Sequence, residues 1–424
     1  MQTKTSQAKQ SRRRLNVLSN DFFPAYVVWE LTLACDHACA HCGSRAAIAR
    51  EKELSTQEAL SLVDDLAKMG TREVVLIGGE AYLHDGFYQI ISHLKAKGIN
   101  PVMTTGAWGI DHELARRMAE AGMTRVSVSI DGLQAQHDRM RAKKGSFKQC
   151  LNALKAIKAA GMTPQVNSNF NRFNQADLEG MYILFESLGV KAWQVQITAP
   201  LGRAADRPQM LFQPYDLLDF LPRLNRLKER GFDNGLLIMP GNNLGYFGPE
   251  EKLLRSPRRD LNDHWAGCQA GRFVMGIESD GAVKGCPSLQ TQAYVGGHYQ
   301  AHGDKKSNLQ TIWNQSSELQ FTRKRTRDDL WGYCASCPLA DTCLGGCSFT
   351  AHGFFGRAGN NPMCHFRAIQ FQKKGLRERL VRIDKPIGQP FDSALFEIAI
   401  EAFDAVEPAE PAKYVKRDLV SIRN

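Results

Sequence analysis

Between Tyr26 and Met239, short β-branched runs alternate with amphipathic segments of helical period, and this alternation constrains the fold of the 424-residue chain more than any other feature. Strands separated by a helix pair in parallel through right-handed crossovers rather than as hairpins. The pattern predicts strands over 26–33, 73–77, 101–104, 125–130, 163–167 and 192–197, with a further short strand over 236–239. Ser55 with Glu58 and Ser146 with Gln149 read as capping boxes, and Asp111 and Asn174 as N-caps. Gly70, Gly122, Gly161 and Gly189 read as the residues that close the preceding helices. Six such units are too few to close an eight-stranded barrel, yet crossovers of one hand still curl the sheet. An open, partial (β/α)6 TIM-like barrel is therefore expected, with its chemistry at the carboxyl ends of the strands.

The first of those strands runs into LTLACDHACAHC, which places Cys35, Cys39 and Cys42 at C-x3-C-x2-C spacing. The chain has eleven cysteines, no apolar stretch of membrane-spanning length and no signal-peptide core. A cytoplasmic location and metal or redox chemistry, rather than disulfides, are the expectation. Zinc sites are usually built from two C-x2-C-like pairs, whereas three thiolates in one loop leave one iron of a [4Fe-4S] cluster open to an outside ligand. A zinc site and three incidental thiols are the alternatives at this point. The second strand ends in LIGGEAYL, where Gly78 and Gly79 let the backbone approach a ligand and Glu80 offers an acceptor to an ammonium group. The fourth ends in VSVSIDG, so Ser129 and Asp131 stand either at a ligand or at an ordinary Asp-Gly turn. Asn167 and Arg203 point the same way with less force.

A second group follows the barrel: Cys268, Gly281 and Cys286, then Cys334, Cys337, Cys343, Cys347 and Cys364. Within it, FVMGIESDGAVKGC reads as a hairpin turning at Ser279-Asp280-Gly281, which returns Cys286 toward Cys268. A C-x2-C pair alone fits a zinc ribbon equally well. Cys150, inside SFKQCLNALKAIKAAG, reads as a buried helical thiol. FRAIQFQKKGLRERLVRI reads as a basic helix, and SALFEIAIEAF as an apolar stripe that packs on the barrel. The formal charge of +10 lies partly in the solvated amino-terminal tail KTSQAKQSRRR; it suits an acidic peptide without selecting one. The interleaved aromatic and basic pattern of a nucleic-acid binder is missing, so neither nucleic acid nor membrane is an expected partner.

Taken together, these motifs resemble the radical S-adenosylmethionine (radical SAM) superfamily with a carboxyl-terminal SPASM module, and within it the peptide-modifying maturases of ribosomally made peptides. GGE is similar to the family's GGEP, with Ala81 in place of proline, and SIDG to its SxDG pattern. The resemblance implies that Cys35, Cys39 and Cys42 hold a [4Fe-4S] cluster whose open iron binds S-adenosyl-L-methionine, with Gly78, Gly79, Glu80, Ser129 and Asp131 contacting that cosubstrate. It implies two auxiliary iron-sulfur clusters, one on Cys334, Cys337, Cys343 and Cys364, the other on Cys268, Cys286 and Cys347. Fully ligated examples carry an eighth cysteine before the first of the seven; RRDLNDHWAG has none, so Asp263, His264, water or substrate is expected at the fourth position. The implied organisation is a basic tail over 1–22, a core barrel over 23–240, a bridge over 241–267, a SPASM module with a β-hairpin and short helices over 268–370, and a helix and tail over 371–424. The implied activity is cleavage of S-adenosylmethionine to methionine and a 5′-deoxyadenosyl radical that takes hydrogen from a precursor peptide, leading to a crosslink, epimerisation or cleavage. A flavodoxin- or ferredoxin-like reductant and a separate peptide-recognition protein are the implied partners. Enzymes of the same class that mature sulfatases or build cofactors, and a non-catalytic iron-sulfur electron carrier, are the competing readings.

Overall fold

The computed structural model describes residues 21–289, 291–301 and 308–408. Nearly all of the expected basic tail, and the chain from residue 409 onward, lie outside them. Seven strands stand side by side in chain order, each neighbouring pair parallel. They are β1 (Tyr26–Glu30), β2 (Glu73–Ile77), β3 (Asn100–Thr105), β4 (Arg125–Ser129), β5 (Thr163–Phe170), β6 (Ala192–Ile197) and β7 (Leu237–Pro240). The crossovers are α1 (Thr56–Lys68), α2 (Phe87–Ala96), α3 (His112–Ala121), the pair α4 (Gln134–Arg141) and α5 (Ser146–Ala159), α6 (Leu178–Ser187) and α7 (Leu217–Asn234). β7 ends the sheet, so the barrel is open, as the unit count predicts.

Period decides which side chains face the interior. Along β5, Pro164, Val166, Ser168 and Phe170 are buried while Gln165, Asn167 and Asn169 alternate with them, and the same alternation in β4 and β6 presents Ser127, Ser129, Gln194 and Gln196 on the other face. On the helix side, Ala59, Leu62, Val63 and Leu66 of α1 form one buried stripe. Each leucine so buried contributes about 1.5–3 kcal/mol. Ser55 and Glu58 form the expected capping box, and Asp111 accepts from Leu114 N. The box expected at Ser146 is not formed: Gly145, at φ +85°, occupies the cap position, and the Ser146 hydroxyl bonds two histidines instead. Asn174 likewise caps nothing, because its amide donates to Asp131 O and Asn169 O.

The hairpin around Gly281 is present, but it also extends the barrel sheet. β8 (Val274–Ile277) pairs in parallel with β1, and β9 (Ala282–Lys284) and β10 (Val295–His298) add on antiparallel, giving ten strands in the order β10-β9-β8-β1 through β7. The short helices Tyr333–Ser336, Ala340–Cys343 and Ser348–Phe355 follow. The helix expected after residue 371 is corrected by the structure. A helix covers only His365–Gln372, and Gly375 at φ +69° precedes an antiparallel pair, β11 (Leu376–Asp384) and β12 (Leu395–Ala402). The reason is period: LRERLVRI and LFEIAIEA alternate every second residue, so one strand face buries Glu378, Leu380 and Phe396. No helix among the described residues is long and apolar enough to cross a membrane.

Candidate active site

The loop after β1 carries the three thiols and is held by backbone and by arginine. Cys35 N donates to Ala47 O (3.0 Å), and Ala47 N to Leu33 O (3.1 Å). Arg203, expected near a cosubstrate, instead braces the loop by donating to Cys39 O (3.4 Å), Arg45 O (3.2 Å) and Ala46 O (2.8 Å). Gly202 lies so close beneath that a Cβ there would stand 2.4 Å from Cys42 O. From the other side, the loop between β11 and β12 ties on: Phe391 N donates to Gly43 O (2.9 Å), and the Arg45 guanidinium bonds Asp392 (3.0 Å) and Gln389 O (3.1 Å). Neither contact was legible in the sequence, since both join residues more than three hundred positions apart.

A cavity of about 310 Å³ collects Cys35, Cys39 and Cys42 with Gly78, Gly79, Glu80, Ser129, Asp131 and Asn167. The two glycines serve packing as much as approach. A Cβ on Gly78 would fall 2.3 Å from Thr32 O and one on Gly79 2.0 Å from Ala34 O, because Gly79 N and Glu80 N donate to those same carbonyls. Glu80 is buried, with its oxygens accepting from Thr105 Oγ1 (2.5 Å) and Gly106 N (2.6 Å). Burial pushes its carboxyl up to about 7, with the Thr105 hydrogen bond opposing. Burial also disfavours charge on Asp131, yet Arg141 (2.6 Å) and His41 (3.2 Å) hold that carboxyl well below the usual range. The guanidinium of Arg141 reaches Cys39 Sγ as well (3.7 Å), and both Arg141 and His41 line the cavity. Arg141 has no motif to announce it, although it lies just ten residues beyond Asp131, at the last residue of α4.

Those features fit an iron-sulfur cluster with a zwitterionic cosubstrate. Burial raises the Cys35 thiol to about 12 and raises Cys39 against the pull of Arg141, so ionisation of these thiols calls for a bound cation. His41 Nδ1 and Arg141 Nε are buried without partners among the described residues.

The remaining cysteines fall into two spatial groups. Cys334, Cys337, Cys343 and Cys364 line one small cavity among Phe247, Tyr333 and Phe366. Burial raises Cys286 to about 12, and Cys268 and Cys347 push it further. All eleven cysteines are free of disulfides. Cys150 is buried in α5 and donates to Gly106 O (3.4 Å) on the barrel. Asp263 and His264 are exposed, and the His264 ring leans on Phe247 (6.1 Å between centroids). Between the cysteine loop and the Cys286 region lies a second chamber of about 250 Å³, bounded by His41 and Gly78 on one side and by Pro287, Ser288, Phe349 and Phe391 on the other.

Comparison with known proteins agrees with this architecture. The profile of the Radical SAM superfamily matches residues 29–172, and that of an iron-sulfur cluster-binding domain, SPASM, matches 268–338. The AdoMet-dependent heme synthase of Nitratidesulfovibrio vulgaris is 26% identical over 80% of this chain and 92% of its own length. Mycofactocin maturase MftC of Mycolicibacterium smegmatis is 28% identical over 80% of this chain and 82% of its own. Among solved structures, anSMEcpe with bound AdoMet superposes with a TM-score of 0.63 at 16% identity, covering 81% of this chain and 95% of that one. Streptococcus suis SuiB bound to S-adenosylmethionine gives 0.59 at 14% identity, over 81% and 76%. The chain is a radical S-adenosylmethionine enzyme with a carboxyl-terminal SPASM module. Its cofactors are iron-sulfur clusters and S-adenosylmethionine.

Proposed function

We propose that this enzyme modifies a peptide, one side chain of which enters the chamber between the cysteine loop and the Cys286 region. The chamber carries this reading. At about 250 Å³ it is smaller than the roughly 300–1,000 Å³ pockets that enclose whole small molecules. Two carboxylates, Glu30 and Glu278, line it, and its lining includes no lysine or arginine. A haem-type macrocycle is bulky, so size opposes it, although the likeness to heme synthases makes a tetrapyrrole the second reading. The maturase relatives and a SuiB structure bound to its precursor peptide SuiA support the first.

In this reading Cys35, Cys39 and Cys42 would hold the core cluster, with Glu80 placed for the ammonium of S-adenosylmethionine, Arg141 for its carboxylate, and Ser129 and Asn167 for its hydroxyls. The bound cluster and cosubstrate supply one-electron cleavage and, from it, hydrogen abstraction. Asp131 fixes Arg141 and His41 in place (2.6 and 3.2 Å). Arg50 bridges Glu30 and Glu278 (2.9 and 3.1 Å), which keeps the chamber wall polar and rigid. Phe349 and Phe391 give it an apolar side. Cys334, Cys337, Cys343 and Cys364 would hold one auxiliary cluster and Cys268, Cys286 and Cys347 the other, with a flavodoxin- or ferredoxin-like protein as electron donor. Co-expression with a short peptide encoded beside the gene should change that peptide's mass. Release of 5′-deoxyadenosine stimulated by an iron porphyrin, and by no such peptide, would instead establish the second reading.

A further inference from the structure

At the amino terminus of α5, Ser146 joins two buried histidines, each of which is fixed at its other ring nitrogen. Asp131 N lies 3.1 Å from His137 Nδ1. A peptide N–H can only donate, so Nδ1 accepts and the neutral ring carries its proton on Nε2. That Nε2 lies 3.1 Å from Ser146 Oγ, and Ser146 Oγ lies 3.2 Å from His37 Nε2. His37 Nδ1 stands 2.6 Å from Asp36 Oδ1, a carboxylate oxygen that accepts, so Nδ1 donates to it and Nε2 is left to the hydrogen bond with the serine hydroxyl. Asp36 is itself fixed by the Tyr82 hydroxyl (2.6 Å). Ser146, His137 and His37 are 1%, 0% and 6% exposed, so no solvent competes for these bonds.

The chain ends beside a thiol. His37 N donates to Cys35 Sγ (3.4 Å), so whatever orients His37 orients that donor. A hydrogen bond to a ligating sulfur withdraws charge from it and stabilises the reduced cluster. We propose that Ser146 and His137 are positioning residues that lock His37, so that the strand end at Asp131 and the amino terminus of α5 set the potential at which the core cluster accepts its electron. The proposal rests on the reading that Cys35 is a ligand of that cluster.

The test uses the anaerobically reconstituted full-length enzyme and follows the reduced-cluster signal in electron paramagnetic resonance that changes when S-adenosylmethionine is added. If the wild type shows no such signal, the reading of Cys35 fails, independently of Ser146. Given the signal, Ser146→Ala is expected to shift its midpoint to more negative potential by about 59 mV, the one-electron equivalent of a tenfold change in reduced fraction. Ser146→Thr, which restores a hydroxyl, should return it toward the wild-type value. Cys150→Ala, which removes a neighbouring thiol 3.8 Å from His137 Nε2 without breaking the chain, should leave it unchanged. Loss of the core cluster in Ser146→Ala alone, with Ser146→Thr intact, would also support the role. An unchanged midpoint in Ser146→Ala, an equal shift in Cys150→Ala, or loss of the cluster in both serine variants would overturn it.

Discussion

The thiols of the barrel loop and those of the carboxyl-terminal module are buried alike but surrounded differently. Around Cys35 and Cys39 stand Glu80, Asp131, Arg141 and His41, and the thiols open onto a cavity of about 310 Å³. Around Cys334, Cys337, Cys343 and Cys364 stand Phe247, Tyr333 and Phe366, and the nearby Arg367 is already neutralised by Glu378 at 2.5 and 2.6 Å. Charged groups of both signs beside three thiols make a place for a zwitterion next to a metal. Four thiols enclosed by aromatic rings make a place for a metal and little else. The trio Cys268, Cys286 and Cys347 stands between these cases, with three thiols and a chamber nearby.

That contrast can be broken most directly by removing one set at a time. Alanine at Cys35, Cys39 and Cys42 together should abolish 5′-deoxyadenosine production while iron remains bound in the module, as product chromatography and iron analysis will show. Alanine at Cys334 and Cys337 should do the reverse, losing iron and peptide modification but retaining cosubstrate cleavage; cleavage lost with them would make the two regions one functional unit. Glu80→Gln probes the charged side of the comparison. A charge-assisted hydrogen bond is worth roughly 1.5–3 kcal/mol, so calorimetry should show S-adenosylmethionine affinity falling about ten- to a hundredfold, with iron content unchanged. The smallest effect is expected at Asp392→Ala, which removes the hydrogen bonds to Arg45 at 3.0 and 3.3 Å. A loss of about 2 kcal/mol of stability, seen as a Tm lowered by a few degrees, would show the barrel loop to depend on the carboxyl-terminal hairpin.

Motifs with punctuation were legible in the sequence, and partners without it were not. The cysteines, the GGE turn and the SIDG turn announce themselves through spacing and glycine, and the strand-helix alternation suffices for the barrel. Arg141, His137 and Ser146 are ordinary residues of a helical pattern, and only folding brings them to Asp131 and His37. The misread carboxyl terminus has a different cause. The helix His365–Gln372 runs without a break in composition into LRERLVRI, and the change from a period near four to a period of two is hidden by charged residues on both sides of Gly375.

The clasp between Arg45 and Asp392 has a further consequence, in time. These partners are separated by 347 positions, so the clasp on the thiol loop cannot close until Asp392 has left the ribosome. Contacts of such long range are slow to form. Cys35, Cys39 and Cys42 therefore precede in synthesis the hairpin that completes their loop.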